Sequence, residues 1–386
     1  MTNNWPQFTL PAKIYFENKS FEKIANIIGG IGGRVLLLAI KKENHIPEKL
    51  EEFHGILSNQ NEGCILYDEL IGDPDTEQID SATHFAKKAH ADVLVAFGGI
   101  DTFNTAKAVS LLASNSFFAK DLITKAKTPK VDALPLITVP VEPSMGEEMS
   151  PGFCVIDAEE SVRKYYYHEM LYPKAVCYDP ALSSYVTIDK ASRIGGALLA
   201  YAIEASISSN ANPVTTTLAN KVIENLHKNL ASYYSDPKNE KISSDMMWAS
   251  AMIGAAACSA PVGTAWAIAM GLSAEAQMDF HNSIALILPH VMEYFLTSSP
   301  GKYVSIARNL GEEVSEISVI EAAIKSVEGV RKLFSSINLP ERLSEFDVTK
   351  QQIPQIARAA LELPHISNSP RRLDQNEIES ILLAAF

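Results

Sequence analysis

Ala91-Asp92-Val93-Leu94-Val95-Ala96-Phe97-Gly98-Gly99-Ile100-Asp101 is the stretch that decides the fold class. An almost unbroken apolar run leads into two glycines, and a helical pattern over Phe103 to Ala113 follows. A continuous apolar strand is what burial on both faces of a sheet requires. A glycine turn that opens a helix leaves backbone N–H groups free at the positive end of the helix dipole, the usual seat of a phosphate in α/β proteins. Read alone, the same turn is a tight strand–helix connection with Asp101 as the helix cap.

Working outward, Val35–Ile40 and Leu134–Val139 are further apolar runs, and Phe153–Ile156 and Lys174–Cys177 read as later strands. Strands alternating with helical patterns predict a mostly parallel sheet covered on both faces. From Asp189 onward no strand stands out. Helical runs are expected at Lys190–Ser209, Val214–Tyr233, Ser244–Ser259, Ala265–Ala276, Asn282–Leu296, Ser315–Ser335, Gln352–Glu362 and Gln375–Ala385. The expected organisation is therefore an α/β domain over residues 1–183 and an all-helical domain over residues 184–386.

The composition of the 386 residues, 47% hydrophobic and 20% charged, is that of an ordinary globular protein. A net charge of −13 argues against nucleic acid and against anionic lipid as partners. The charge-free stretch Met246–Ala274 is broken by Gly254, Pro261, Gly263 and Gly271, which fits two buried helices better than a membrane span. The start of the chain is polar, without an apolar signal region. Cys64, Cys154, Cys177 and Cys258 form no CxxC pair and read as buried thiols in a reducing compartment, which points to the cytoplasm.

A second candidate for phosphate contact is the loop Thr138-Val139-Pro140-Val141-Glu142-Pro143-Ser144-Met145-Gly146-Glu147-Glu148. Its three carboxylates would repel a diphosphate, on the order of 1 kcal/mol or more apiece in a partly desolvated site. The alternative is that each one simply faces water.

Several segments, in order and at the right separations, carry a family resemblance: FTLPAKIYF at Phe8–Phe16, GGIDTFNTAKA at Gly98–Ala108 and PLITVP at Pro135–Pro140 with Gly146, Glu148 and Pro151; then AIEA at Ala202–Ala205, LPHVMEY at Leu288–Tyr294 and NSPRRL at Asn368–Leu373. Together they make the chain resemble the iron-dependent (group III) alcohol dehydrogenases along essentially its whole length. The resemblance implies a dinucleotide-binding α/β domain, a helical domain and an active site between them. It also implies NAD(P) and one iron or zinc ion, which would polarise the alcohol oxygen so that hydride can leave.

The positions that should carry this chemistry are changed. The family's Asp and His, four apart on one helix, fall on Ala197 and Tyr201. Its two further His ligands fall on Trp266 and Phe280, and the His near the nicotinamide falls on Met270. A one-residue gap would bring His281 to a single ligand position, and one His does not hold the ion. The cofactor positions implied by the resemblance are Gly98, Gly99, Asp101, Thr138 and Gly146, set in eroded motifs. The family's FGxG reads Phe16-Glu17-Asn18-Lys19, and its ribose-reading Asp falls near Ile40. Lys41 and Lys42 follow, either as readers of a 2′-phosphate or as solvated surface.

Three readings compete. In the first, the chain binds neither metal nor cofactor and is a structural or regulatory protein, a homo-oligomer or the hetero-oligomeric partner of a related enzyme. In the second, it is an NAD(P)-dependent alcohol or aldehyde oxidoreductase with a rewired, metal-free site. Tyr201 or His281 would then donate the proton, with Lys107 as a candidate cation beside Tyr201. A plain buried tyrosine making one hydrogen bond is the simpler account of Tyr201. In the third, a gap in the alignment hides an intact metal site.

Overall fold

The computed structural model describes residues 8–40 and 47–386. The chain divides between Tyr185 and Val186, where composition had suggested residue 183, into an α/β unit from Leu10 and a helical unit that also takes in Thr9. The Thr9 N–H donates to Ser259 Oγ at 2.8 Å, which ties this residue to the helical unit. Lys41 and Lys42 lie outside the described residues.

The α/β unit runs β1 (Lys13–Phe16), α1 (Phe21–Gly29), β2 (Arg34–Leu38), α2 (Pro47–Gln60), β3 (Gly63–Tyr67), α3 (Thr76–Lys88), β4 (Val93–Gly98), α4 (Ile100–Ser114), α5 (Ala119–Ile123), β5 (Leu136–Pro140), β6 (Gly152–Asp157), β7 (Val162–Tyr167) and β8 (Ala175–Tyr178). Among the described residues six strands form one parallel sheet in the order β1-β8-β5-β4-β2-β3. Alternate side chains of the central strands enter two separate cores. Leu36, Leu38, Leu94, Ala96 and Leu136 pack on one face; Val35, Leu37, Val93, Val95, Phe97, Ile137 and Val139 pack on the other. The two-residue period of a strand makes this sorting, and burial of both sets explains the unbroken apolar runs.

Four expectations are corrected. The resemblance placed an opening strand at Phe8–Phe16, but only Lys13–Phe16 pairs, with β8. Phe153–Ile156 belongs to a separate antiparallel ribbon with β7, not to the parallel sheet. β3 was not expected; it is a short edge strand, and Ile65 on it is exposed, so its sequence lacks the mark of double burial. Of the cysteines, Cys154 and Cys177 are buried, whereas Cys64 and Cys258 are only half-buried; none of the four is in a disulfide.

The helical unit runs α6 (Ile188–Ile207), α7 (Pro213–Ser235), α8 (Glu240–Ala257), α9 (Thr264–Ala276), α10 (Phe280–Phe295), α11 (Pro300–Asn309), α12 (Val319–Ser336), α13 (Ile353–Glu362) and α14 (Gln375–Ala384). The Met246–Ala274 stretch is the pair α8 and α9, turned at Pro261 and Gly263. No helix among the described residues is long and apolar enough to cross a membrane. α11 escaped the sequence reading although its signals are present. Pro300 stands in its first turn, and Tyr303, Ile306 and Ala307 are buried at helical spacing.

Candidate active site

In the α/β unit the turn from β4 into α4 and the loop after β5 lie side by side, because Gly98 pairs in register with Pro140. The Val141 N–H donates to Gly98 O at 3.2 Å. Gly99 is the N-cap of α4 and provides no side-chain cap. Asp101 is therefore not the cap expected from sequence; it sits in the first turn, and its Oδ2 accepts from the Asp73 N–H at 3.2 Å. A Cβ added to Gly98 would lie 2.4 Å from Thr102 Oγ1, so the turn closes only around glycine. Gly146 has φ +101°, a conformation that L side chains rarely adopt.

The three loop carboxylates do not simply face water. Glu148 is fully buried and accepts from Ser144 Oγ at 2.6 Å and from the Tyr178 hydroxyl. Burial pushes its carboxyl above the usual range. Glu147 turns back on its own loop, where its Oε2 accepts from the Met145 N–H at 3.2 Å. Glu142 leans over the α4 turn, with its Oε1 3.2 Å from where a Cβ on Gly99 would stand. Thr138 is buried on β5 and its Oγ1 donates to Glu148 O at 2.9 Å.

Lys107, on α4, is fully buried. Its Nζ donates to Glu147 O at 2.6 Å, Gly152 O at 2.7 Å and Ser150 Oγ at 3.1 Å. These three bonds fasten the loop to α4. Lys107→Met is expected to remove three charge-assisted bonds from the loop and cost on the order of 2–4 kcal/mol, read by denaturant unfolding. A loss under about 0.5 kcal/mol, the size usual for surface changes, would show that the loop holds without it.

In the helical unit α6 carries Ala197 and, one turn later, Tyr201, both buried. Trp266 Nε1 on α9 donates to Tyr201 Oη at 2.8 Å. Trp266 meets Phe280 edge-on, ring centroids 6.3 Å apart, and lies against His365 at 3.9 Å with planes 30° apart. Sequence reading missed His365, which sits in the short turn Pro364–Asn368. Burial holds its imidazole down to about 3, so the ring is neutral at physiological pH. His281 is a neighbour of the helix cap: its Nδ1 is 3.9 Å from Asp279 Oδ2, and Asp279 caps α10 through the Asn282 N–H at 2.9 Å. Burial would raise the Asp279 carboxyl, yet His281, that N–H and Arg193 together hold it down to about 2.

Beneath Trp266 lies Glu204, buried on α6. Its carboxylate accepts from the N–H groups of Gly263 at 3.1 Å, Ala265 at 2.7 Å and Trp266 at 3.1 Å. Gly263, the N-cap of α9, has no side chain to do this, so a residue of another helix does. Ser369 adds a contact between its Oγ and Thr264 Oγ1 at 2.5 Å. Glu204 belongs to the AIEA segment, where its local signal is a lone carboxylate in an otherwise apolar run.

Residues 11–180 match the model of the iron-containing alcohol dehydrogenases, and residues 195–386 match the C-terminal model of the Fe-containing alcohol dehydrogenase family. The chain is a member of the iron-containing alcohol dehydrogenase family. It is 25% identical over 372 residues to a 1,3-propanediol dehydrogenase of Citrobacter freundii, covering 94% of this chain and 95% of that one. It is 24% identical over 374 residues to alcohol dehydrogenase 4 of Saccharomyces cerevisiae, covering 96% and 93%. Among solved structures, a 1,3-propanediol oxidoreductase superposes with TM-score 0.94 at 23% identity, covering 99% and 100%. An alcohol dehydrogenase from Oenococcus oeni follows with 0.93 at 21%, covering 99% and 100%. These likenesses show the fold.

The residues that the sequence resemblance sets at the family's ligand positions offer few donor atoms for an ion. Ala197 and Phe280 have no donor atom, and Trp266 has only an indole N–H, which it gives to Tyr201. A neutral phenol oxygen already accepting that bond is a poor ligand. No group of three or more His, Cys, Asp or Glu residues among those described is gathered closely enough to hold a metal. Of the positions that the resemblance assigns to the dinucleotide, Gly98 and Gly99 form the turn into α4 and Gly146 holds a positive φ, and Glu142 leans over that turn.

Proposed function

We propose that this member of the family has lost metal-dependent hydride transfer and acts as a non-catalytic, structural or regulatory protein, assembled with itself or with a related enzyme in the cytoplasm. The observation that carries the reading is the Trp266–Tyr201 hydrogen bond within an aromatic cluster at the ligand positions. A hydrogen-bonded pair of large side chains there supports a role for the site in holding helices together. The protein purified without chelator and supplied with iron or zinc is expected to carry substoichiometric metal, and titration with NAD(H) and NADP(H) is expected to show weak binding or none. Stoichiometric metal together with micromolar cofactor binding would overturn the reading.

A second reading is favoured by the oxidoreductase names of the relatives. In it the chain is an NAD(P)-dependent alcohol or aldehyde oxidoreductase that works without metal, and Tyr201 or His281 supplies the proton. Tyr201 keeps a hydroxyl at a former ligand position, which supports it. Carbonyl reduction by NAD(P)H that survives exhaustive chelation and disappears in Tyr201→Phe would establish this reading over the first.

A further inference from the structure

The family's cofactor and the charges at the α4 turn disagree, and the disagreement narrows to one side chain. We infer that Glu142 is a built-in anion that takes the place of a dinucleotide diphosphate at the start of α4, so that the α/β unit excludes the cofactor by its own carboxylate. The inference rests on the reading above that dinucleotide binding is weak.

The geometry follows from strand register. Gly98 lies opposite Pro140, so the residue two places beyond Pro140 comes level with the Gly99 turn. The Val141 N–H to Gly98 O bond holds that alignment. Glu142 Oε1 then stands 3.2 Å from the Cβ position of Gly99, the residue that caps a fifteen-residue helix without a capping side chain of its own. A helix start attracts negative charge through its exposed N–H groups and its dipole, whether the charge is a phosphate or a carboxylate.

The neighbouring acids do not do the same. Glu148 is buried against Ser144 and Tyr178, and Glu147 accepts from Met145 within its own loop. Asp101 is engaged with the Asp73 N–H. Lys107 fastens the later part of the same loop at Glu147, Ser150 and Gly152. The glycines that let a diphosphate approach the backbone are still present at Gly98, Gly99 and Gly146. Removing one charge should therefore reopen much of the site.

The test titrates NADH by calorimetry into the wild type, Glu142→Gln, Glu142→Ser and, as the control, Glu147→Gln. Both Glu142 variants are expected to bind at least about tenfold more tightly than the wild type, the size of one repulsive charge removed from a partly desolvated site. Glu147→Gln should bind like the wild type. Inorganic pyrophosphate should compete with NADH in the Glu142 variants, which would assign the gain to the diphosphate seat. If the wild type binds weakly and both Glu142 variants bind no better, or Glu147→Gln gains as much, the inference fails while the proposed function stands. Micromolar binding by the wild type would overturn the inference together with the weak-binding premise on which it rests.

Discussion

Ala197→Asp, Tyr201→His, Trp266→His and Phe280→His, combined in one chain, are expected to give a protein that melts well below the parent in metal-free buffer and recovers several degrees with excess Zn²⁺. The four positions lie on α6, α9 and α10, in the helical unit. Ala197 and Tyr201 are one helical turn apart, and Trp266 reaches Tyr201 and Phe280 directly. Replacing Trp266 removes its packing on His365 and Phe280 and its hydrogen bond to Tyr201. Each change from a large aromatic to His should cost about 2 kcal/mol or more through lost packing. The Ala197→Asp change adds a buried carboxylate that has no partner until metal arrives. An ion that binds only the folded state returns about 2.7 kcal/mol at a hundredfold excess over its dissociation constant. The parent's melting temperature should not respond to Zn²⁺. If both proteins respond alike, the residue-by-residue assignment of the former ligand positions is wrong, and the third reading, an intact site hidden by a gap, gains ground.

The second large effect belongs to Glu204. Burial raises its carboxyl from an ordinary 4.5 to about 7, even though the three N–H groups of the α9 start favour the charged form. The folded protein thus holds this proton at pH values where the unfolded chain has released it. The resulting stability is fully present below the unfolded value of 4.5 and is lost as pH rises through about 7, levelling off above. The full amplitude is about 3 kcal/mol. Glu204→Gln keeps an oxygen to accept from the helix start but does not titrate. Denaturant unfolding of both proteins at intervals from pH 5 to pH 8 isolates the effect, since other groups cancel in the difference. The wild type should lose stability relative to the Gln variant as pH rises. A difference that stays flat across that window would mean that Glu204 is ionised throughout, with its helix-end hydrogen bonds outweighing burial. Glu204→Ala should be worse than either at all pH values, because it leaves three buried N–H groups without an acceptor.

Both effects come from residues whose role is set by what lies across from them. Lys107 was legible as part of a motif, and its burial against the Glu147–Gly152 loop was not, because the bonds span about forty residues of chain. Glu148 looked like one of three surface acids; only the packing of β8 against β5 delivers Tyr178 to it. His365 carries no motif at all, and its neutral ring matters only because α9 brings Trp266 against it. His281, singled out from sequence as a proton donor, sits beside the Asp279 helix cap, a neighbourhood that its residue type did not announce.

The sequence by itself determined the class of each half. Apolar runs such as Val93–Phe97, each short and bounded by turn residues, fit doubly buried strands, and the long small-residue stretches after Asp189 fit packed helices; both signals are local and repeat along the chain. That Ala197 and Phe280 bring no donor atom is likewise plain from residue type. The tertiary structure decided which of the remaining polar groups face each other. Strand register placed Glu142, rather than Glu147 or Glu148, over Gly99. Helix packing turned Glu204 into the cap of a helix that begins 60 residues later. A buried polar group must find its partner in space, and the partner's distance along the chain carries no local signal.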